Sequence, residues 1–447
     1  MKVVLCNVKS TKQGLINKDV AGGFGTASNF GTGFAASLLA YLKKMGVQYP
    51  PLALAFIGSI FKNGDHNVVA IDDIDNIPAG TQLAILYGSM VDYQNETASA
   101  KIIKKRFPGI KIGFIGAFCG IKPELFLPSC DFVINGEPEK AVMEISQTGI
   151  IPAGIVDSAM IDNLDTLPFP EWSLFSFKKF RYMPYFPKFR HGKNFFPVLS
   201  SRSCPYSCKY YCPYTIVTHG KYRARSPENV ISELEELVSK YNAMLILFRD
   251  PTFTINRERI ITICNGILQK RLKIEFVCET HTKNLDKELV DIMFEAGLKA
   301  VKIGVESADA SMLNNFNRQN DKLQHQEDII AYCEKIGIAV TAFYILGLKD
   351  DTEKSIVRTI DYAKKLNTIG AQFTIATPYP GTKFYDDMEK EGLLLTKDYQ
   401  KYDIHTPVFK HPSLSPETLL QLKNYAYQSY YMRPTWIYKF IKMKLLK

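Results

Sequence analysis

The chain has 447 residues, 46% hydrophobic and 22% charged, with 55 Lys+Arg against 45 Asp+Glu for a formal net charge of +10. This composition excludes a disordered or collagen-like chain, and the length predicts two or three domains of about 150 residues each. The longest apolar runs, at 34–42 and 51–61, fall short of the roughly 20 residues that cross a bilayer, and Met1 leads straight into a strand pattern, so neither a membrane span nor a secretory signal is expected.

Nine cysteines, an odd number scattered except for one tight group, predict a reducing, cytoplasmic setting without a disulfide framework. The positive charge leaves nucleic acid or an anionic membrane surface open as partners.

Residues 1–150 alternate short apolar runs with helical patterns, which predicts a doubly wound, Rossmann-like α/β domain. Strands are expected at 3–8, 68–72, 83–88, 112–118 and 132–135, and helices at 32–45, 51–63, 95–107 and 138–146. A Gly-rich loop at 21–33 and the strand ends Gly88-Ser89, Gly116-Ala117 and Gly136-Glu137 place small residues where ligands meet an open parallel sheet. A glycine serving only a tight turn is the alternative at each position. Residues 151–195, rich in Pro, aromatic and basic residues, read as a linker.

From 196 to 400 the alternation becomes more regular. Strands are expected at 196–201, 245–248, 274–278, 300–305, 340–346 and 372–376, and helices at 227–241, 257–271, 287–296, 324–336, 352–366 and 383–391. Six strand-helix units are too few for a closed eight-fold barrel and predict a partial (β/α)6 TIM-type barrel with its chemistry at the strand carboxyl ends. Residues 401–447 read as a helical extension.

Directly after the first barrel strand stand Cys204, Cys208 and Cys212. Structural zinc is normally closed by four ligands, with His219 the conceivable fourth here, and unligated core cysteines are a further alternative. Three thiolates without a nearby fourth suit a 4Fe-4S cluster with one iron left open to a small molecule. The other six, Cys6, Cys119, Cys130, Cys264, Cys278 and Cys333, sit in apolar segments as small hydrophobes.

The segment 203–214, SCPYSCKYYCPY, resembles the cluster loop of the radical S-adenosylmethionine superfamily, with three residues in each interval where that loop usually has three and then two. Further segments are similar in register: FRDPTF at 248–253, CETHT at 278–282, GVES at 304–307, LGL at 346–348 and TPYPGT at 377–382. The resemblance implies contacts to S-adenosylmethionine from Tyr211, Asp250 (to the amino group), Glu279, His281, Thr282, Gly304, Glu306, Gly347 and Pro378. The signature CDFVINGEPE at 130–139, the linker motif at 164–172 and YMRP at 431–434 resemble the cobalamin-dependent members of that superfamily. That likeness implies cobalamin contacts from Gly25, Gly88, Ser89, Gly116, Ala117, Gly136 and Glu137. The Asp-x-His-x-x-Gly string of other cobalamin proteins is absent, and His66, in the nearest string, reads as a surface turn residue.

The resemblance implies a reduced cluster that cleaves S-adenosylmethionine to a deoxyadenosyl radical, hydrogen abstraction from an unactivated carbon, and methyl delivery from methylcobalamin. The implied substrate is a small or lipid-like molecule, and the implied electron donor an external flavodoxin- or ferredoxin-like protein. Radical ring formation or rearrangement without methyl transfer, and a degenerate non-catalytic scaffold, are the alternatives. The aromatic and basic tail from Leu419 reads either as an anchor on anionic lipid or as a helix packed on the barrel. Lysines are diffuse and no nucleic-acid module is present, so nucleic acid is not an expected partner.

Overall fold

The computed structural model describes all residues except 13–15, 28–46, 178–179, 183–193, 207, 219, 310–312, 314–321 and 446–447. The helix expected at 32–45 and His219 lie outside the described residues.

Six parallel strands form the first sheet: β1 (Lys2–Cys6), β2 (Asn67–Ile71), β3 (Leu83–Tyr87), β4 (Lys111–Ile115), β5 (Phe132–Gly136) and β6 (Gly154–Ser158), in the order β2-β1-β3-β4-β5-β6. Central strands such as β3 are buried throughout, as continuous apolar runs require when both faces are covered. α1 (Leu52–Asn63) and α3 (Glu139–Thr148) pack together on one face, with α2 (Tyr93–Arg106) packed on β3 and β4. β6 is a correction: its residues fall in the expected linker, because a half-exposed edge strand, GIVDS, carries no apolar run to announce it.

The second sheet is six-stranded, parallel and strictly sequential: β7 (Phe195–Val198), β8 (Leu245–Phe248), β9 (Glu275–Thr280), β10 (Leu298–Glu306), β11 (Ala339–Leu346) and β12 (Gly370–Ile375). Between them run α4 (Pro227–Tyr241), α5 (Arg257–Gln269), α6 (Lys287–Glu295), α7 (Leu323–Lys335) and α8 (Glu353–Leu366), followed by α9 (Lys383–Lys390), α10 (Pro416–Tyr431) and α11 (Pro434–Leu445). Local chemistry sets the helix ends: Ser226 caps α4 ahead of Pro227, and Thr352 with Ser355 forms a capping box on α8. Phe196, Ile246, Phe276, Val301, Val340 and Phe373 point outward into one core with the helices. On the opposite face of the same strands, Lys302, Gly304, Glu306, Thr341, Phe343, Ile345, Gln372 and Thr374 are only half-buried, so the concave face of the half-barrel is an accessible lumen. Phe180, Tyr182 and the partly buried Tyr49 pack on Phe195, Leu245 and Leu247 and close its amino-terminal floor.

The open edge of the half-barrel is covered by hydroxyl groups. Tyr427 donates to Phe373 O at 3.0 Å and accepts from Phe373 N at 3.2 Å, and Tyr431 treats Ala371 alike at 2.7 and 2.8 Å. Trp436 donates to Ile369 O at 3.1 Å. Helical i, i+4 spacing matches alternate residues of β12, so α10 supplies the partners that a seventh strand would. Much of the tail's aromatic character is therefore spent on the barrel.

The chain from the end of β12 through α9 to the start of α10 reaches across to the first sheet, where Tyr379, Tyr385, Tyr399, Tyr402 and Val408 share a core with Leu86, Phe114 and Phe118. The two sheets are thereby interlocked.

Candidate active site

β7 leads through Ser200 into a two-residue antiparallel pair, Ser201–Arg202 with Arg223–Ala224, which closes the base of the cysteine loop. Ser203 opens the loop in the left-handed region at φ 67°, its hydroxyl held by Thr218 Oγ1 at 2.7 Å. Cys208–Tyr210 makes a tight helical turn, and Cys212 N donates to Cys208 O at 3.0 Å. The longer second interval is absorbed by aromatic packing. Tyr210 stacks on Phe384 at 5.3 Å, and Tyr211 is buried with Cys208, Leu348 and Ala376, which binds the loop to the carboxyl ends of β11 and β12.

Burial, with smaller contributions from Cys208, Cys204 and Glu306, pushes the Cys212 thiol up to about 12. These four side chains therefore share one locality. Glu306 sits at φ 66°, just past a register shift after Gly304, and is the last residue of β10 paired with β11. Among the described residues no three His, Cys, Asp or Glu side chains converge tightly enough for a single metal ion. A cubane takes each thiolate on a different iron, so its three ligands stand farther apart than those of one ion, and the donor set is of the right chemistry for it.

Beside the loop, at the end of β9, Tyr206 donates to Asn284 Oδ1 and lies edge-on to His281 at 5.8 Å. Thr282 Oγ1 and Asn284 Nδ2 are buried without a hydrogen-bond partner among the described residues. Buried polar atoms cost free energy until something pairs with them, so this corner suits a polar ligand such as S-adenosylmethionine. Gly304 lines the lumen, Gly347 and the buried Pro378 end β11 and follow β12, and Gly347 N donates to Asp351 at 2.9 Å. Glu279 lies in the lumen paired with Lys302 at 2.9 Å; against the upward push of burial, Lys302 and Arg249 hold its carboxyl below the usual range.

Asp250 lies one residue beyond Arg249, after β8. Its carboxylate turns beneath the loop, accepting from Ser200 Oγ at 2.7 Å, Ser201 Oγ at 2.5 Å and Ser200 N at 3.1 Å, and it is fully buried. An oxygen pair occupied in this way braces the loop base. The sequence missed Tyr206, Asn284 and Arg249; only the placement of Tyr206 between two cysteines could have drawn notice.

The carboxyl ends of the first sheet face this loop. Gly22, at φ 67°, would bring a Cβ to 3.1 Å from Pro213 O, so the Gly-rich loop touches the cysteine loop directly. A cavity of about 200 Å³ between them is lined by Gly116, Ala117, Gly136 and Glu137 on one bank and by Ser203, Tyr214, Thr218 and Arg249 on the other. A second cavity of about 1120 Å³ at the ends of β1 and β2 shares Asp19, Val20 and Tyr87 with it. That volume exceeds the roughly 300–1,000 Å³ of ordinary small-ligand pockets and suits a large cofactor. Gly25, Gly88 and Ser89 do not line the cavities. A Cβ at Gly25 would strike Val91 at 2.8 Å and one at Gly88 would strike Phe126 at 2.9 Å, while buried Ser89 donates to Glu96 at 2.8 Å. These three serve packing. Glu137 lines the cavity but is bound to Arg202 at 3.1 Å and to Arg223 at 3.0 Å.

Residues 198–363 match the Radical SAM superfamily. An uncharacterised methyltransferase of Pyrococcus horikoshii is 30% identical over 421 residues, 87% of this chain and 89% of that protein. The chain belongs to the radical SAM superfamily. Relatives at lower identity are an anaerobic magnesium-protoporphyrin IX monomethyl ester cyclase of Cereibacter sphaeroides (26%, 61% of this chain and 43% of that protein) and a bacteriochlorophyllide d C-12(1)-methyltransferase of Chlorobaculum tepidum (25%, 52% and 51%). Among solved structures, the radical SAM methyltransferase TsrM of Kitasatospora setae aligns at TM-score 0.62 with 13% identity over 87% of this chain and 76% of its own. The cobalamin-dependent radical enzyme OxsB aligns at TM-score 0.66 with 12% identity over 99% and 70%. The two-sheet architecture of this radical SAM protein is thus that of TsrM and OxsB. TsrM has been solved with cobalamin and a [4Fe-4S] cluster bound, and OxsB with aqua-cobalamin and S-adenosylmethionine.

Proposed function

We propose that this radical SAM enzyme is a cobalamin-dependent C-methyltransferase acting on an unactivated carbon of a small or lipid-like molecule. The observation that carries the reading is the placement of the three-cysteine loop at the carboxyl edge of the half-barrel, across a cavity from the carboxyl edge of a Rossmann-like sheet, with a second, larger cavity adjoining the first. Cys204, Cys208 and Cys212 would hold the cluster; Tyr206, Thr282, Asn284 and Glu306 would contact S-adenosylmethionine; Gly116, Ala117, Gly136 and Tyr87 would face cobalamin. Bound there, these groups supply hydrogen abstraction and the methyl group. The chain itself excludes water with Tyr210, Tyr211 and Phe384 and leaves the lumen open for substrate. An external flavodoxin- or ferredoxin-like donor would deliver the electron. Incubated anaerobically with S-adenosylmethionine and a chemical reductant, the reconstituted chain should release deoxyadenosine in a Cys212-dependent manner and S-adenosylhomocysteine in a cobalamin-dependent manner. Deoxyadenosine without cobalamin-dependent S-adenosylhomocysteine would favour ring formation, and neither product would mean a scaffold.

One observation favours contact with a membrane surface. On α11, Ile437, Tyr438 and Ile441 remain 39%, 68% and 48% exposed beside the exposed Lys442, and residues 433–447 carry five cations and no acid. No helix among the described residues is long and apolar enough to cross a membrane. The chain should float with anionic liposomes, and replacing Ile437, Tyr438 and Ile441 by Ser should abolish flotation; equal flotation would remove this reading.

A further inference from the structure

Most charged side chains around the inter-sheet cavity are already engaged. Glu137, Glu139 and Arg202 are tied together with Arg223, and the Asp19 carboxylate accepts from Ala53 N at 2.9 Å at the start of α1. Arg249, which follows the last residue of β8 and lines the same cavity, differs. Its guanidinium lies over the Tyr49 ring at 4.9 Å and donates one N–H to Asp19 O at 3.2 Å, and among the described residues it forms no ion pair. Two carboxylates act on it without an ion-pair contact, Asp19, which is bound to Ala53 N, and more weakly Glu279, which is held by Lys302 at 2.9 Å. An enclosed guanidinium retains its charge at any physiological pH and is costly without an anion opposite, and its planar fork matches carboxylate and phosphate oxygens bidentately.

We propose that Arg249 is the anchor for an anionic group of the substrate, a carboxylate or phosphate, at the mouth of the lumen beside Tyr214. Tyr214 lies two residues beyond Cys212, so a substrate held by Arg249 extends toward the cysteine loop. The proposal relies on the radical SAM methyltransferase reading for the word substrate; anion binding is tested without turnover. S-adenosylmethionine carries a carboxylate and cobalamin a phosphate, so each is a competing source of the anion.

The test uses the full chain, reconstituted anaerobically and saturated with S-adenosylmethionine and cobalamin, with iron and cobalt content measured separately. Benzoate is the probe and benzamide its neutral isostere, titrated by ligand-observed NMR. Benzoate should bind at least about tenfold more tightly than benzamide, and Arg249→Gln should erase that preference. Arg249→Lys, which keeps the charge and loses the fork, should retain the preference with weaker affinity, and it serves if the Gln variant does not fold. Equal binding of the two probes, or an unchanged preference in Arg249→Gln, overturns the proposal. Benzoate binding that appears only when S-adenosylmethionine or cobalamin is withheld also overturns it, because a cofactor's own anion then occupies Arg249. Loss of iron or cobalt would instead count against the cofactor assignment.

Discussion

Arg202, at the base of the cysteine loop, donates to Glu139 across the boundary between the two sheets at 2.6 Å, both side chains nearly buried. With Glu137 and Arg223 they form a clamp of two arginines and two carboxylates that fixes the loop to the end of β5.

Removing one member of a buried ion pair strands the other. Glu137→Ala, which leaves Arg223 facing a hole, should lower stability by about 3–5 kcal/mol in urea unfolding and lower the iron retained on reconstitution. A loss under about 1 kcal/mol would mean that the clamp does not join the halves.

Cys204→Ala, Cys208→Ala or Cys212→Ala should each abolish the visible absorption of the reconstituted cluster. Cys333→Ala, at a fully buried core position in α7, should keep it. Retention of the band in a Cys212 variant would remove that cysteine from the ligand set.

Tyr427→Phe leaves both Phe373 N and Phe373 O at the sheet edge without their partner. The expected cost is about 1–3 kcal/mol, with faster amide exchange at Phe373 and unchanged iron content. Unaltered exchange would show that water replaces the hydroxyl.

Lys423 is buried in α10, its ammonium donating to His405 O at 2.9 Å. Burial, opposed by Asp403, lowers its pKa to about 8. The folded chain therefore carries fewer protons than the unfolded chain between about pH 8 and the ordinary lysine value, so stability rises with pH across that window. Lys423→Met should remove the rise while leaving the protein at least as stable at pH 7. Persistence of the rise in the variant would assign it to another group.

The half-barrel was legible because each strand is an apolar run followed by a capped helix; Ser226-Pro227 and Thr352 mark their helix starts in plain sequence. The cysteine loop was legible because its spacing is local. What escaped depends on distant partners or on direction. Glu137 looks like a cofactor contact until Arg202 and Arg223, far along the chain, close on it. Asp250 stands at the right place after β8, yet sequence does not say which way a carboxylate points, and two serine hydroxyls draw it under the loop. Gly25 and Gly88 show the same ambiguity: a glycine required by Val91 or Phe126 looks identical in sequence to one required by a ligand.

A single chain that holds both a three-cysteine cluster and cobalamin must retain two metals at once. Anaerobic reconstitution with iron, sulfide and hydroxocobalamin, followed by desalting and metal analysis, measures both. One [4Fe-4S] cluster and one cobalt per chain are expected, with the iron lost and the cobalt kept in Cys212→Ala. Iron without cobalt, or cobalt without cysteine-dependent iron, would contradict a chain that holds both.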